Sequence, residues 1–477
     1  MQAITVMTKK WKSRNVAVGM DRYSDRHPGG DATNLPTGES MRRRHSNGIW
    51  TKFALAGAIG VSTVVSVGAS AIGGGAAPAG AASVPGVTSN SITVGTISTQ
   101  TGPISSNFSS LIYGEKAYFD YINAQGGING RKINYKYALD DGGNPSQFTQ
   151  LANTLINQDH VFAVTGVGTA FFSPNIFVES KTPTYGYNVT NNWAGPANLF
   201  AAGGSVQYVP AEVPGAAYVA RATKATKIGI LAYGIASSAA ACQAAGSGLS
   251  KGGKDVAYTD YKVNYPGSTV GTDVQRMKQA GVNFILTCMD VQGNVTMARA
   301  VKQYGLKTSQ LWLNGNDQTT LNQNQSLMQG IYFYIAHVPF GAPTADYPGL
   351  ALYLKEMNKY EPKYTDDEVA IQGWESASLF ATGVKMAGKN LTQANVIKQD
   401  NTLTAFTAGG LTTPVNWKIA GHSGHAPPYC GAYIQVKGDK YVPALNTSPK
   451  SVFVCFGSIS PKAQPLKTLP AGTPNAS

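Results

Sequence analysis

Residues Ser91–Asp141 read SITVGTISTQTGPISSNFSSLIYGEKAYFDYINAQGGINGRKINYKYALDD. The stretch opens on a short apolar run rich in β-branched residues, which is typical of a buried strand: Ile92, Val94 and Ile97. After a polar loop at 98–107, apolar residues recur at helical spacing: Leu111, Ile112, Tyr118, Tyr121 and Ile122. Gly126 and Gly127 end this predicted helix, and Ile133–Tyr137 predicts another strand. A strand, a helix and a strand form a βαβ unit, so we expect a parallel sheet whose strand ends carry the ligand site.

The same alternation continues for most of the chain. Further strands are predicted at 161–164, 183–188, 227–232, 256–263, 282–288 and 310–313, with helices between them. A chain of 477 residues exceeds what one hydrophobic core usually supports, so a second doubly wound domain is expected. Two later helices have too few strands between them for a third domain, and Thr412–Trp417 is predicted as a late strand. We therefore expect two discontinuous domains, with the chain crossing between them more than once.

The net charge of +13 does not indicate nucleic-acid binding. Residues 1–86 hold ten Lys/Arg and four Asp/Glu, so they carry +6 of that charge. The other basic residues are scattered and form no cluster interleaved with aromatic residues. With 13% charged residues and 54 glycines, the composition is unlike that of a disordered chain. No nucleic-acid partner is expected.

The N-terminal region carries an export signal. Residues 1–40 are polar without apolar periodicity, and we interpret them as a disordered extension or as the result of a start codon placed upstream of Met41. Residues 41–82 open with Met41 and three arginines, continue with the uncharged run Phe53–Ile72 and end in small residues. This is the pattern of a signal peptide. The same run is long enough to span a bilayer, so an uncleaved membrane anchor is the alternative. No cysteine precedes Cys242, so the usual lipoprotein attachment residue is missing.

The four cysteines show no zinc-binding spacing, and no metal site is expected: Cys242, Cys288, Cys430 and Cys455. An even number in an exported chain favours two disulfides. Cys242 lies in a predicted helix directly after the strand at 227–232 and Cys288 ends the strand at 282–288, so they could meet. Cys430 and Cys455 lie on consecutive strands near the end of the chain, so they could also meet. Buried free thiols are the alternative.

The sequence also resembles a known family. The segment TGPISSNF…GEKAYFDYINAQGGINGRKI and the later DDGGNPSQFTQLANTLINQDHVFAVTG resemble the opening of leucine/isoleucine/valine-type periplasmic binding proteins, and the resemblance extends over residues 88–456. It implies the α/β type 1 periplasmic-binding-protein fold, with two doubly wound Rossmann-like lobes, a three-segment hinge and a central ligand cleft. The implied boundaries are 90–209 and 338–413 for lobe I, 210–337 and 414–459 for lobe II, and 460–477 for a flexible tail.

The resemblance also implies where ligand contacts fall. In lobe I these positions are Asn107, Phe108, Gly168, Thr169, Ala170, Asn188 and Thr190. In lobe II they are Tyr233, Ser237, Asp290, Gln292 and Asp317. Backbone N–H groups and hydroxyls at helix N-termini suit a carboxylate, and an acidic group on the opposite lobe suits an ammonium. Asp290 and Asp317 have a second interpretation as helix N-caps, and Phe108 and Tyr233 as covers of the hinge.

The sequence offers no convincing catalytic group. Gly166-x-Gly168 lacks the third glycine of a dinucleotide fingerprint, and Gly421–His425 lacks the closing glycine of a nucleophile elbow. Together with this lack of catalytic motifs, the resemblance implies a non-enzymatic, cofactor-free, exported monomer that binds a branched-chain-amino-acid-like solute or a related carboxylate or amide. Its expected partner is the permease of an ABC importer. A membrane-anchored sensory domain on the same fold is the alternative.

Overall fold

The computed structural model describes residues 83–205, 209–418, 422 and 429–475, which lie within one compact unit, Ala76–Ser477. The predicted extension at 1–40 and the signal or anchor at 41–82 lie outside the described residues. Within the described part of the chain, none of the helices has the length and apolarity needed to cross a membrane.

The first sheet is parallel and has the order β2-β1-β3-β4-β5. Its strands are β1 (Ser91–Ser98), β2 (Lys132–Asp140), β3 (Ala163–Val167), β4 (Thr184–Gly186) and β5 (Leu199–Ala201). The helices that connect them are α1 (Leu111–Ala124), α2 (Pro145–Asn157) and α3 (Asn175–Ser180). The opening stretch thus forms the predicted βαβ unit, and its continuation adds neighbouring parallel strands.

The second sheet has the order β12-β11-β10-β9-β8-β6-β7, with β13 paired to β11. Its strands are β6 (Lys227–Tyr233), β7 (Asp255–Val263), β8 (Phe284–Cys288), β9 (Ser309–Trp312), β10 (Tyr332–Ile335), β11 (Tyr429–Lys437), β12 (Lys440–Pro443) and β13 (Phe453–Phe456). Its helices are α4 (Val209–Ala222), α5 (Ala236–Lys251), α6 (Val270–Ala280), α7 (Val291–Gln303) and α8 (Gln318–Met328). The strands from β6 to β10 are parallel, whereas the late strands add antiparallel pairs at one edge.

Three further helices return to the first sheet: α9 (Pro348–Tyr360), α10 (Glu368–Ala387) and α11 (Gln393–Asp400). Helix α10 packs against α1 at very short range. A Cβ on Gly114 would lie 1.8 Å from the carbonyl oxygen of Ala370, and one on Gly373 would lie 2.0 Å from that of Leu111. Glycine at these two positions therefore permits the backbone approach that brings α10 back to the sheet of β1. We call the first sheet with α1–α3 and α9–α11 lobe I, and the second sheet with α4–α8 lobe II.

All four cysteines form disulfides. Cys242 on α5 is bonded to Cys288 at the end of β8, with a Cα–Cα distance of 5.7 Å. Cys430 on β11 is bonded to Cys455 on the paired strand β13. The expectation of two disulfides is confirmed, and the alternative of free thiols is excluded.

The predicted strand Thr412–Trp417 is absent. This segment makes only isolated bridges, from Thr412 to His337 and from Val415 to Phe406. Pro414 lies between the two bridges and has no N–H to donate, so a continuous ladder is blocked. The ring of Trp417 lies 5.2 Å from that of Phe200 in lobe I. The chain therefore keeps contact with lobe I beyond the expected boundary at 413.

Residues 460–475 are packed, whereas we expected a flexible tail. The guanidinium of Arg221 donates hydrogen bonds to the carbonyl oxygens of Pro461 and Ala463, at 2.6 and 2.8 Å. Leu466 donates its N–H to the carbonyl of Cys455, and Leu469 is buried against the Cys430–Cys455 disulfide. These two leucines cover the disulfide. The Pro- and Lys-containing composition of the segment does not indicate this packing.

Candidate functional site

A cleft of about 980 Å³ is lined by residues of both lobes. Nine of the expected site positions line it: Asn107, Phe108, Ala170, Asn188, Tyr233, Ser237, Asp290, Gln292 and Asp317. They lie at the end of a parallel strand, in the loops that follow such strands, or at the N-termini of the helices after those loops. The topology thus gathers distant parts of the chain at one opening, as open α/β sheets do.

Three expected positions do not line the cleft: Gly168, Thr169 and Thr190. Gly168 extends the sheet, because its N–H donates to the carbonyl of Ile97 and its carbonyl accepts from Thr99, at 2.9 and 2.8 Å. Thr169 is 1% exposed, and its hydroxyl lies 3.2 Å from that of Thr99. Thr190 is buried as well. The turn after β3 therefore uses Gly168 and Thr169 inside lobe I, whereas the buried hydroxyl of Thr190, after β4, has no hydrogen-bond partner.

Asp290 at the start of α7 is both a helix cap and a cleft residue. Its Oδ1 accepts the N–H of Gly293 at 2.8 Å, which is N-capping, and the hydroxyl of Tyr233 at 2.6 Å. Burial and the nearby carboxylate raise the pKa of Tyr233, so its hydroxyl stays a donor. Asp290 is 8% exposed, and its Oδ2 is buried without a hydrogen-bond partner. One oxygen of Asp290 therefore holds the helix, and the other is left for a donor.

Asn188 provides a similar acceptor on lobe I. Its Nδ2 donates to the carbonyl of Gly204, which fixes the orientation of the amide. Its Oδ1 is then buried and has no hydrogen-bond partner. Nearby, the rings of Phe108 and Tyr187 are in edge-to-face contact, with their centroids 6.2 Å apart. Lobe I thus brings an unpartnered acceptor and aromatic surface to the cleft.

Asp317 caps α8 through Oδ1, which accepts the N–H of Thr320. It also lines the cleft, so capping and cleft exposure coexist here as they do at Asp290.

Two glutamates on α10 were not expected in the cleft. Glu368 reaches lobe II, where its Oε2 accepts the N–H groups of Gly315 and Asn316, the latter at 2.9 Å. Glu375 stays within lobe I and accepts the N–H of Gly203 at 2.9 Å. Burial raises the pKa of each glutamate to about 7. No sequence pattern indicates either role, because the periodicity of α10 predicts only packing against a sheet.

Tyr265 of lobe II is a further missed residue. Its hydroxyl donates to the carbonyl of Pro103 in lobe I at 2.6 Å, and its ring lies 5.2 Å from that of Tyr233. Pro103 belongs to the loop after β1, so this bond links the two walls of the cleft. Tyr265 lies in a loop between a strand and a helix, where no local pattern distinguishes it.

Residues 91–440 match the family model described as periplasmic binding protein. No curated protein matches the chain. Among solved structures, the fatty acid ABC transporter substrate-binding protein from Thermomonospora curvata is similar with a TM-score of 0.67 and 19% identity, covering 81% of this chain and 97% of that one.

Two further solved structures are similar in fold. A branched chain amino acid ABC transporter from Thermus thermophilus with bound valine has a TM-score of 0.63 and 15% identity, covering 75% of this chain and 96% of that one. The branched-chain amino acid transporter substrate-binding protein from Streptococcus pneumoniae in complex with isoleucine has a TM-score of 0.60 and 15% identity, covering 74% of this chain and 100% of that one. The predicted fold and family resemblance are thus confirmed, and this chain belongs to the periplasmic binding protein family, with its two-lobed type 1 α/β fold.

Proposed function

We propose that this protein is an exported solute-binding protein that captures a small polar solute by closing its lobes and delivers it to an ABC importer. The observation that carries the proposal is the cleft itself, which is lined from both lobes and has an unpartnered acceptor on each, Asp290 Oδ2 and Asn188 Oδ1. Closure around a ligand lets groups on two rigid bodies contact it together. The family consists of solute-binding proteins, and family membership implies export.

The ligand class expected from the sequence is a branched-chain amino acid or a related carboxylate or amide. Two similar folds hold valine or isoleucine, and a third is named for fatty acids, so the fold alone admits chemically different solutes. The proposed contacts are the nine expected positions that line the cleft, together with Tyr265 and Glu375. The proposed partner is an ABC permease, and the proposed state is a monomer. No observation favours the sensory alternative, since its anchor Phe53–Ile72 lies outside the described residues.

The test is calorimetric titration of the full chain with a panel of amino acids, amides, short carboxylates, aromatic acids and amines. We expect one or more solutes to bind with one site per chain. Asp290→Asn should weaken binding, whereas Asp255→Asn, an exposed site on the same lobe, should not. If no solute in the panel binds, the proposal fails. N-terminal sequencing of the exported protein separates the importer component, which loses the signal, from a sensor that keeps its anchor.

A further inference from the structure

The side chains that line the cleft are strongly unbalanced in charge. Among the described lining residues, six carry carboxyl groups: Asp290, Asp317, Asp366, Asp367, Glu368 and Glu375. One lysine, Lys363, is the basic side chain in the same set, which contains no arginine or histidine. Lys363 is exposed, and its ammonium lies over the ring of Tyr364 at 5.2 Å. Even with both glutamates protonated, four aspartates face one lysine.

Several N–H groups that would suit an anion are already used by the protein's own carboxyl groups. Glu368 accepts the N–H groups of Gly315 and Asn316, and Glu375 accepts that of Gly203. In the same way, Asp290 accepts the N–H of Gly293. Backbone N–H groups at strand ends and helix N-termini are the usual seats of a ligand carboxylate or phosphate. At Gly203, Gly293, Gly315 and Asn316, the protein's own carboxyl groups already accept these N–H groups.

The hydroxyl donors near Asp290 are used as well. Tyr233 donates to Asp290 itself, and Tyr265 donates to the carbonyl of Pro103. Among the described residues that line the cleft, the two buried side-chain atoms left without hydrogen-bond partners are acceptors, Asp290 Oδ2 on lobe II and Asn188 Oδ1 on lobe I. Burial of an unpaired carboxylate oxygen is costly, and a ligand N–H group relieves that cost. A ligand with donors for both walls would therefore satisfy both oxygens.

Aromatic surface lies beside the unpartnered carboxylate oxygen. The rings of Tyr233 and Tyr265 are 5.2 Å apart, and both side chains line the cleft with Asp290. Electron-rich ring faces attract cations, and the attraction grows where water is excluded. A carboxylate flanked by aromatic rings is thus suited to an organic ammonium group.

We propose that the solute is an organic cation, an amine with at least two N–H donors and no free carboxylate. This inference rests on the proposed function and replaces the expected amino acid or carboxylate with a solute that lacks a free carboxylate. The ammonium group lies against Asp290, a second N–H group reaches Asn188, and the aliphatic or aromatic part contacts the tyrosine rings. A free carboxylate on the solute would be repelled by the cleft's own carboxyl groups.

The experiment uses matched solute pairs with the full chain. 1,5-Diaminopentane and glutarate have the same length and opposite charge, and leucinamide differs from leucine by the loss of the carboxylate charge. Calorimetry at neutral pH should show each amine binding at least about tenfold more tightly than its carboxylate-bearing partner. Asp290→Asn keeps a side chain able to cap α7 and should weaken diamine binding about tenfold, while Asp255→Asn should not change it.

Tighter binding of glutarate or leucine would overturn the inference while leaving solute binding intact. Equal binding of the diamine by wild type and Asp290→Asn would also overturn it. If neither member of any pair binds, and the wider panel fails too, the proposed function fails with the inference. The wild-type comparison needs no variant, so it stands even if Asp290→Asn does not fold.

Discussion

The hydroxyl of Tyr233 at the end of β6 donates a 2.6 Å hydrogen bond to Oδ1 of Asp290, the residue that caps α7. This bond joins two neighbouring strand ends of lobe II and fixes the carboxylate beside the cleft. It also leaves Oδ2 without a partner. The position of the acceptor that a ligand would meet is therefore set by a tyrosine that lies 57 residues earlier in the chain.

Replacing Tyr233 with Phe removes this donor and leaves the ring. We expect the free energy of unfolding to fall by about 1 kcal/mol, because a buried hydrogen bond from the tyrosine hydroxyl to the carboxylate is lost. Urea denaturation measures the change. Tyr332→Phe is the matched control, since its hydroxyl has no hydrogen-bond partner among the described residues. An equal loss in the two variants would show that the bond to Asp290 does not stabilise the fold.

Tyr265→Phe tests the bond between the walls of the cleft. The Tyr265 hydroxyl donates to Pro103 across the opening, so its loss should favour the open arrangement. Solute binding should weaken roughly fivefold, mainly through faster dissociation. Stopped-flow measurement of dissociation provides the readout. The unfolding free energy should change by less than about 0.5 kcal/mol, and unchanged dissociation would contradict a role in closure.

Glu115 predicts a pH dependence of stability. It is fully buried in lobe I, where Thr96 donates to it at 2.6 Å and Thr165 donates to its other oxygen. Burial raises its pKa from 4.5 to about 7, so the folded state holds the proton more tightly than the unfolded state does. Its stabilising contribution is therefore complete below about pH 4.5 and is lost as the pH rises towards 7. Burial raises the pKa of Glu368 and of Glu375 in the same way, so these two residues also make the fold less stable as the pH rises.

Urea denaturation at pH 5 and pH 8 should show a larger loss of stability in the wild type than in Glu115→Gln. The difference should reach up to about 3 kcal/mol, since each pKa unit is worth about 1.4 kcal/mol. Glu179→Gln, at an exposed site, should behave like the wild type. A Glu115→Gln variant with the full wild-type pH dependence would contradict this interpretation.

Gly114→Ala tests the close packing of α1 and α10. The added Cβ would lie 1.8 Å from the Ala370 carbonyl oxygen, so the helices must separate. We expect a loss of about 3 kcal/mol or more in unfolding free energy. Gly271→Ala on α6 is the matched control, because its nearest neighbour would be 3.5 Å away. That variant should be neutral or more stable by up to about 1 kcal/mol, and equal behaviour of the two would contradict the packing argument.

Part of the candidate site can be predicted from the sequence, because its residues directly follow strands that the local sequence pattern reveals. Asn188, Asp290 and Asp317 each follow a recognisable strand, and parallel strands end at one edge of a sheet. The sequence allows two roles for Asp290, a helix cap or a ligand contact. The structure shows a cap with one carboxylate oxygen left without a partner.

Other features depend on contacts between distant segments. Glu368 and Glu375 enter the cleft only because α10 returns to lobe I, and no pattern within α10 reports that return. Tyr265 is defined by its contact with Pro103 on the opposite lobe. Gly168 and Thr169 were expected to offer donors to a ligand, but the register of β3 against β1 uses those groups inside the sheet. Local periodicity contains no information on such long-range contacts.

The most direct measurement of the central claim is a crystal structure of the full chain with the solute that binds most tightly in the panel. We expect the solute in the cleft, with one donor at Asp290 Oδ2 of lobe II and another at Asn188 Oδ1 of lobe I. A solute bound outside the cleft, or one that contacts a single lobe, would contradict it.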